Sequence, residues 1–281
     1  MKILLNFIPN HFLTFCMGQL ANSKNKFIKS FFINTFIKIY KPDLSIAKKR
    51  KAKDYISYNN FFTRELKDDA RPINLSENII CSPVDGSIID FGLIEDGQLI
   101  QAKKFKYKLV ELIGSSPFVE ELEGGVFITI YLAPADYHRI HCPLKGKIIE
   151  SDHMGDNLYS VNRNAQNIIP SLYVKNERAN IIIQSNKFSY GLVAVGASVV
   201  GSIVPFWEIR EFKKRLSYKE SWRKGPEESS KKVNKGQELA YFKMGSTVIL
   251  LFPQTAKLNI NSLYQDKTVK FGERLVEIKA D

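Results

Sequence analysis

Cysteine is scarce: the chain has three, Cys16, Cys81 and Cys142, an odd number without a Cys-x-x-Cys pair. That usage argues against a disulfide framework and against a zinc site, and it fits a reducing, cytoplasm-facing location. Long apolar runs are missing as well. Residues 3–23 carry no Lys, Arg, Asp or Glu, but Asn6, Pro9, Asn10, His11, Gly18 and Gln19 interrupt them. The strongest stretch, Phe12 to Met17, is far too short to span a bilayer. A signal peptide would need a continuous apolar core and a small-residue cleavage site, and neither is present. No repeat of solenoid length occurs. Acidic residues are also under-represented: 29 against 41 basic ones leave a net charge of +12. Such a balance attracts polyanions, either nucleic acid or anionic lipid.

The 281 residues suffice for one large domain, or a domain with an appendage. In Lys24 to Lys41, Phe27, Phe31, Thr35 and Ile39 recur at helical spacing, with Ile28, Phe32 and Phe36 alongside. Lys24, Lys26, Lys29, Lys38 and Lys41 border this face. Such a helix either lies in a bilayer interface or docks on its own protein core. The cluster Lys48-Lys49-Arg50-Lys51-Ala52-Lys53 just beyond favours the membrane, since each basic residue near an anionic surface adds roughly 1 kcal/mol. Nucleic acid is the rival partner for that cluster, but no recognition motif accompanies it, and none is expected to bind.

From about Asn78 the chain becomes a series of short β-rich runs separated by Gly, Pro and Asn turns. Gly125 to Leu132, Ala179 to Gln184, Leu192 to Val204, Glu238 to Lys243 and Thr247 to Phe252 are predicted strands. Lys106 to Ile113 is predicted as a short helix and Ser160 to Ile168 as loop. The expected class is α+β, mainly β: an antiparallel sandwich or barrel core with amphipathic helices at the N-terminal end. Arg210 to Gly236 is rich in Lys and Arg with Phe212, Tyr218 and Trp222 interleaved. It reads as a solvated loop or as a basic flap for lipid headgroups.

Between two apolar runs near the C-terminus sits Met244-Gly245-Ser246-Thr247. Upstream lie Ser82-Pro83-Val84-Asp85-Gly86 and Tyr137-His138-Arg139-Ile140-His141-Cys142-Pro143. Together they supply an acid, two imidazoles and a hydroxyl. A serine hydroxyl is a weak nucleophile until a base takes its proton, and imidazole suits that task near neutral pH. A carboxylate can orient the imidazole. Gly245, lacking Cβ, admits close approach at the bond preceding the serine. Taken singly, each motif has a commoner structural reading: a turn, paired surface histidines, a plain Asp-Gly turn. Cys142 reads as a small buried hydrophobe, and His11 and His153 receive no assignment.

The ordered set resembles the phosphatidylserine decarboxylase family of bacterial and mitochondrial type, which is pyruvoyl-dependent. The resemblance runs from Phe61-Phe62-Thr63-Arg64-Glu65-Leu66 and Arg71-Pro72-Ile73, through Ser160-Val161-Asn162, Asn176-Glu177-Arg178 and Val200-Gly201-Ser202-Ile203, to the strand after Ser246. One departure is Met244, where the family usually has Leu, a swap of similar volume.

The resemblance implies a barrel-sandwich hybrid core over residues 61–281, and the amphipathic pattern before it makes residues 1–60 the expected membrane-associating helical segment. It implies that Asp85, His141 and Ser246 cut the Gly245-Ser246 bond autocatalytically. Ser246 Oγ would add to the Gly245 carbonyl to give an ester. β-Elimination would leave dehydroalanine, and hydrolysis with loss of ammonia would yield the pyruvoyl group. The products would be a β-chain, 1–245, and an α-chain, 246–281, held together as a heterodimer, with any higher oligomer left open. The pyruvoyl ketone, the only cofactor implied, would form a Schiff base with phosphatidylserine. Carbon dioxide would depart with His138 assisting, leaving phosphatidylethanolamine, and no metal is implied. The expected place of work is the cytoplasmic face of the cell membrane, as a peripheral enzyme of phospholipid biosynthesis on an anionic surface. Rival readings are a pyruvoyl decarboxylase for a soluble amino acid and a non-catalytic lipid-binding domain. The Lys-edged helix argues against the first, and the retention of Asp85, His141 and Ser246 against the second.

Overall fold

All seven residues of the strand Ser246–Phe252 are buried, and the rest of the molecule is arranged around them. The computed structural model describes residues 17–102, 104–155, 157–197, 203–205, 232–242 and 246–279. In chain order its first strands are β1 (Ile79–Cys81), β2 (Gly86–Leu93), β3 (Gln98–Gln101), β4 (Phe105–Lys108), β5 (Val126–Leu132), β6 (Arg139–His141), β7 (Gly146–Met154) and β8 (Arg178–Gln184). There follow β9 (Ser189–Gly196), β10 (Ile203–Pro205), β11 (Lys232–Val233), β12 (Glu238–Phe242), β13 (Ser246–Phe252), β14 (Leu258–Asn259), β15 (Thr268–Val269) and β16 (Arg274–Ile278).

Eight of these form one antiparallel sheet in the order β11-β7-β8-β9-β13-β5-β2-β15. Two three-stranded sheets, β1-β16-β14 and β10-β12-β6, and the hairpin β3-β4 complete the described strands. The large sheet is open, with β11 and β15 at its edges, so the core is a sandwich rather than a closed barrel.

Alternating side chains of the central strands feed two different cores. Ile128, Ile130 and Leu132 of β5 join Val248, Leu250 and Phe252 of β13 in one. Phe127 of β5 and Ile249 and Leu251 of β13 join Val193 and Val195 of β9 in the other. A strand covered on both faces reads as a continuous apolar run, which is why Thr247 to Phe252 shows no polar face. Gly86 lets β2 enter beside β5: a Cβ there would lie 2.5 Å from the Tyr131 carbonyl oxygen. That close entry sets Asp85, the preceding residue, at the sheet end.

Helix α1 (Lys26–Tyr40) begins at Asn25, whose side chain accepts from the Phe27 and Ile28 N–H groups. It ends at Lys41 in the left-handed conformation. Ile33 and Phe36 pack on Tyr55 and on Tyr58, Phe61 and Phe62 of α2 (Tyr58–Phe62). The aromatic face is therefore divided. Phe36 belongs to the interior, whereas Phe27, Phe31 and Ile39 are 74%, 67% and 64% exposed. Lys29, expected at a lipid-facing border, instead donates its ammonium to the Lys53 and Tyr55 carbonyls. Among the described residues no helix is long and apolar enough to cross a membrane.

The predicted strands are found at β5, β8, β9 with β10, β12 and β13, although 198–202 and 243 lie outside the described residues. Two expectations are corrected. Lys106 to Lys108 are strand, because they pair with β3, and the helix is confined to Leu109–Ile113. Ser160 to Ile168 is not all loop: Arg163–Ile168 is helical, capped by the Asn162 side chain on the Ala165 N–H at 3.0 Å. Of the basic segment Arg210 to Gly236, residues 210–231 lie outside the described residues.

Candidate active site

Ser246 opens β13 with no exposed surface, paired to Leu132 of β5 and Gly196 of β9. His138 immediately precedes β6, and its carbonyl accepts the Phe242 N–H at the end of β12. The end of β12 is thus bound beside His138. His138 Nδ1 lies 3.1 Å from Ser246 Oγ, and His138 Nε2 lies 3.1 Å from the Ala133 carbonyl oxygen. A carbonyl only accepts, so Nε2 carries the proton and Nδ1 accepts from the serine hydroxyl. The ring stacks on Phe62, with centroids 4.1 Å apart. Burial, with the Arg64 charge adding to it, pushes this imidazole down to about 3, so it is neutral at physiological pH.

His141 leaves the opposite face, as an odd separation on an extended chain requires. Its Nδ1 donates to the Gly236 carbonyl at 2.8 Å, and its Nε2 accepts from the Tyr137 hydroxyl at 2.9 Å. Gly236 holds a φ of +81°, a conformation that favours glycine, to present that carbonyl. Burial pushes His141 down to about 4. Its ring lies on Phe271, with centroids 3.7 Å apart.

Asp85 is 3% exposed. Its carboxylate accepts from Arg71 Nε at 3.2 Å and Nη2 at 2.6 Å, and from the Phe271 backbone N–H at 2.8 Å. Lys270 Nζ stands 3.8 Å away. The hydrogen bond to Asp85 raises the Arg71 guanidinium above its ordinary value.

The structure therefore brings His138 and Ser246 into direct contact and gathers Asp85 and His141 around Phe271. Both ring nitrogens of His141 are engaged, by Tyr137 and by Gly236. Gly245 and Met244 lie outside the described residues. Among the described residues no group of three or more His, Cys, Asp or Glu side chains is placed to hold a metal ion. The sequence reading named the acid, imidazoles and hydroxyl but missed their supports: Phe62, Arg71, Ala133, Tyr137 and Phe271. Phe62 and Arg71 stood inside quoted motifs, and Tyr137 beside the first histidine. Phe271 carried no local signal.

A family model for phosphatidylserine decarboxylase matches residues 58–277, and a second, described as PSD, matches residues 3–41. The phosphatidylserine decarboxylase proenzyme of Hahella chejuensis is 38% identical over 275 residues, covering 96% of this chain and 90% of the relative. The proenzyme of Pseudoalteromonas translucida is 42% identical over 251 residues, covering 86% and 85%. That of Vibrio parahaemolyticus is 40% identical over 254 residues, covering 89% and 88%. With a family match spanning the whole site and relatives aligned along most of their length, the chain belongs to the phosphatidylserine decarboxylase family.

Proposed function

We propose that this chain decarboxylates phosphatidylserine to phosphatidylethanolamine, using a pyruvoyl group that it makes from Ser246. The observation that carries the reading is the buried Ser246 hydroxyl donating to a neutral imidazole, at the mouth of a strand locked on both sides. The donor set fits the group: a hydroxyl for conversion, a base in contact with it, and a second imidazole and a carboxylate close by.

In self-cleavage the proton of Ser246 Oγ passes to an imidazole as Oγ bonds to the Gly245 carbonyl carbon. The C–N bond to Ser246 breaks and its nitrogen takes a proton, leaving an ester. Loss of the Ser246 α-proton then expels the Gly245 carboxylate. Hydrolysis of the resulting enamine releases ammonia and leaves the pyruvoyl group on the new α-chain. When present, that group accepts the electron pair freed as carbon dioxide departs. His138, already against this position, is placed to hold or return a proton there. Asp85 and His141 are assigned to the cut. A second reading, favoured by the 3.1 Å contact, makes His138 itself the base that deprotonates Ser246.

The products would be chains 1–245 and 246–281, joined as a heterodimer by the pairing of β13 with β5 and β9. Residues 1–60 would carry the membrane-associating segment and 61–281 the catalytic core. The exposed Phe27, Phe31 and Ile39, together with the basic surplus, would place the enzyme peripherally on an anionic membrane at the cytoplasmic face.

Intact mass under denaturing conditions tests the core of this proposal. The wild type should give a 36-residue α-chain spanning 246–281, lighter by the serine-to-pyruvoyl conversion, and Ser246→Ala should stay whole. Fully active, uncut wild-type protein would overturn the mechanism. Faster turnover of free serine than of vesicle-borne phosphatidylserine would overturn the lipid assignment.

A further inference from the structure

Arg64 is 3% exposed, and among the described residues its guanidinium hydrogen-bonds only to carbonyls. Its Nη2 donates to the carbonyls of Ala135 at 2.6 Å and Asp136 at 3.0 Å. Its Nε and Nη1 are buried and have no partner among the described residues. The nearby Asp136 carboxylate accepts from the Ala133 N–H instead, at 2.8 Å. Arg71 and Lys270, by contrast, face Asp85, and Arg139 pairs with Glu238 and Glu65.

A buried cation whose N–H groups are unsatisfied is costly to the fold. An arginine held that way is explained if the missing acceptor arrives from outside. Its position identifies the visitor. The turn that Arg64 grips, Ala133 to Asp136, also supplies the Ala133 carbonyl that fixes the tautomer of His138. Phe62, two residues before Arg64, is the ring on which His138 stacks. Arg64 and Ser246 are therefore linked through the same imidazole, His138.

We infer that Arg64 is the anion-binding residue of the Ser246 site, with Nε and Nη1 donating to an oxyanion of the substrate headgroup. Carboxylate and phosphodiester share that acceptor chemistry, and a guanidinium serves both. The inference rests on the proposed pyruvoyl chemistry. An oxyanion delivered to these donors would satisfy them, so an amine that brings one would bind more tightly than one without.

Borohydride trapping on the self-cleaved enzyme, read by mass, measures amine binding without turnover. Three soluble amines serve as probes: O-phosphoserine, O-phosphoethanolamine and serine methyl ester. Arg64→Met should raise the concentration for half-trapping of O-phosphoserine by about tenfold or more, and leave serine methyl ester unchanged. An equal loss for O-phosphoethanolamine assigns the phosphate, and no loss for it assigns the carboxylate. Equal effects on all three amines would overturn the inference. If Arg64→Met stays uncut, Arg64→Lys carries the same series. Should both variants fold, by circular dichroism, yet stay uncut, Arg64 serves the cleavage and the inference is wrong. No trapped adduct with any amine in wild-type protein would instead count against the pyruvoyl reading itself.

Discussion

The His141 ring lies flat on Phe271, 3.7 Å between centroids, while the backbone N–H of Phe271 is bound to Asp85 at 2.8 Å. The carboxylate and the imidazole are thus coupled through one residue that touches both. Asp85 orders the segment on which His141 rests, and Arg71 occupies the other side of the carboxylate. Phe271→Ala should therefore slow self-cleavage while leaving Ser246, His138 and their hydrogen bond in place. Precursor accumulation on a denaturing gel reads the effect, and unaltered processing would remove Phe271 from the cleavage machinery.

The two histidines separate by the stage at which each variant fails. His141→Ala and Asp85→Ala should remain full length, whereas His138→Ala should cut substantially and then decarboxylate poorly. The reverse pattern would give the base to His138, which touches Ser246 in the uncut chain. Tyr137→Phe sharpens the test, because it releases His141 Nε2 without removing the ring. Processing should persist in that variant if His141 must leave Tyr137 to act. A loss comparable to His141→Ala would make the tyrosine an orienting partner.

Both imidazoles are pushed below the ordinary histidine value, to about 3 for His138 and about 4 for His141. Each is already unprotonated at neutral pH, so the cleavage rate should stay flat from pH 8 to about pH 5, without an inflection near 6.5. The stability consequence has a definite sign. The unfolded chain binds more protons below about pH 6.5, so the stability contributed by these neutral histidines is complete above that pH. It is lost progressively as pH falls from there towards the two lowered values. Urea midpoints between pH 7.5 and 4.5 should fall with acidity, and His138→Gln should flatten the slope. A cleavage profile with an acid limb centred near 6.5 would contradict the proposed resting state.

The division of α1 predicts two classes of variant. Phe27→Asp with Phe31→Asp changes exposed rings, each worth roughly 1.5–3 kcal/mol at best if buried in lipid. The pair should release much of the protein from anionic vesicles while self-cleavage continues. Phe36→Ala removes a ring packed on Phe61 and Phe62, and should destabilise the N-terminal cluster by about 3–5 kcal/mol. Vesicle flotation and thermal melts distinguish the two. Equal unfolding by both would make α1 wholly a core helix, and retention on vesicles except in high salt would leave membrane contact to the basic residues.

The strands of the core were legible because β-branched runs between turns leave few alternatives. The side that each strand presents was not, since β5 and β13 are apolar on both faces. Periodicity also failed to divide α1: Phe27, Phe31, Ile33 and Phe36 cover so wide an arc that only the partner residues Tyr55 to Phe62 decide which of them dock. At the site the reacting groups were visible as residue types. The pairing of His138 with Ser246 joins positions 108 residues apart, and no local pattern encodes it. The odd spacing of the histidines was a readable sign that they serve opposite faces. Asn162 is an equally readable sign, an N-cap that starts the helix Arg163–Ile168 within a stretch otherwise polar enough to resemble loop.

The place of β13 in the sheet gives maturation a direction in time. Before the cut, β13 is delivered between β5 and β9 by the same chain, so the sheet assembles at any dilution. After the proposed cut, residues 246–281 would be a separate peptide whose buried strand could be regained only by meeting its partner again. Dilute mature enzyme that has been unfolded should therefore recover far less readily than precursor blocked by Ser246→Ala. On that proposal each molecule folds as one chain once, and the bond that makes this possible is the one it then gives up.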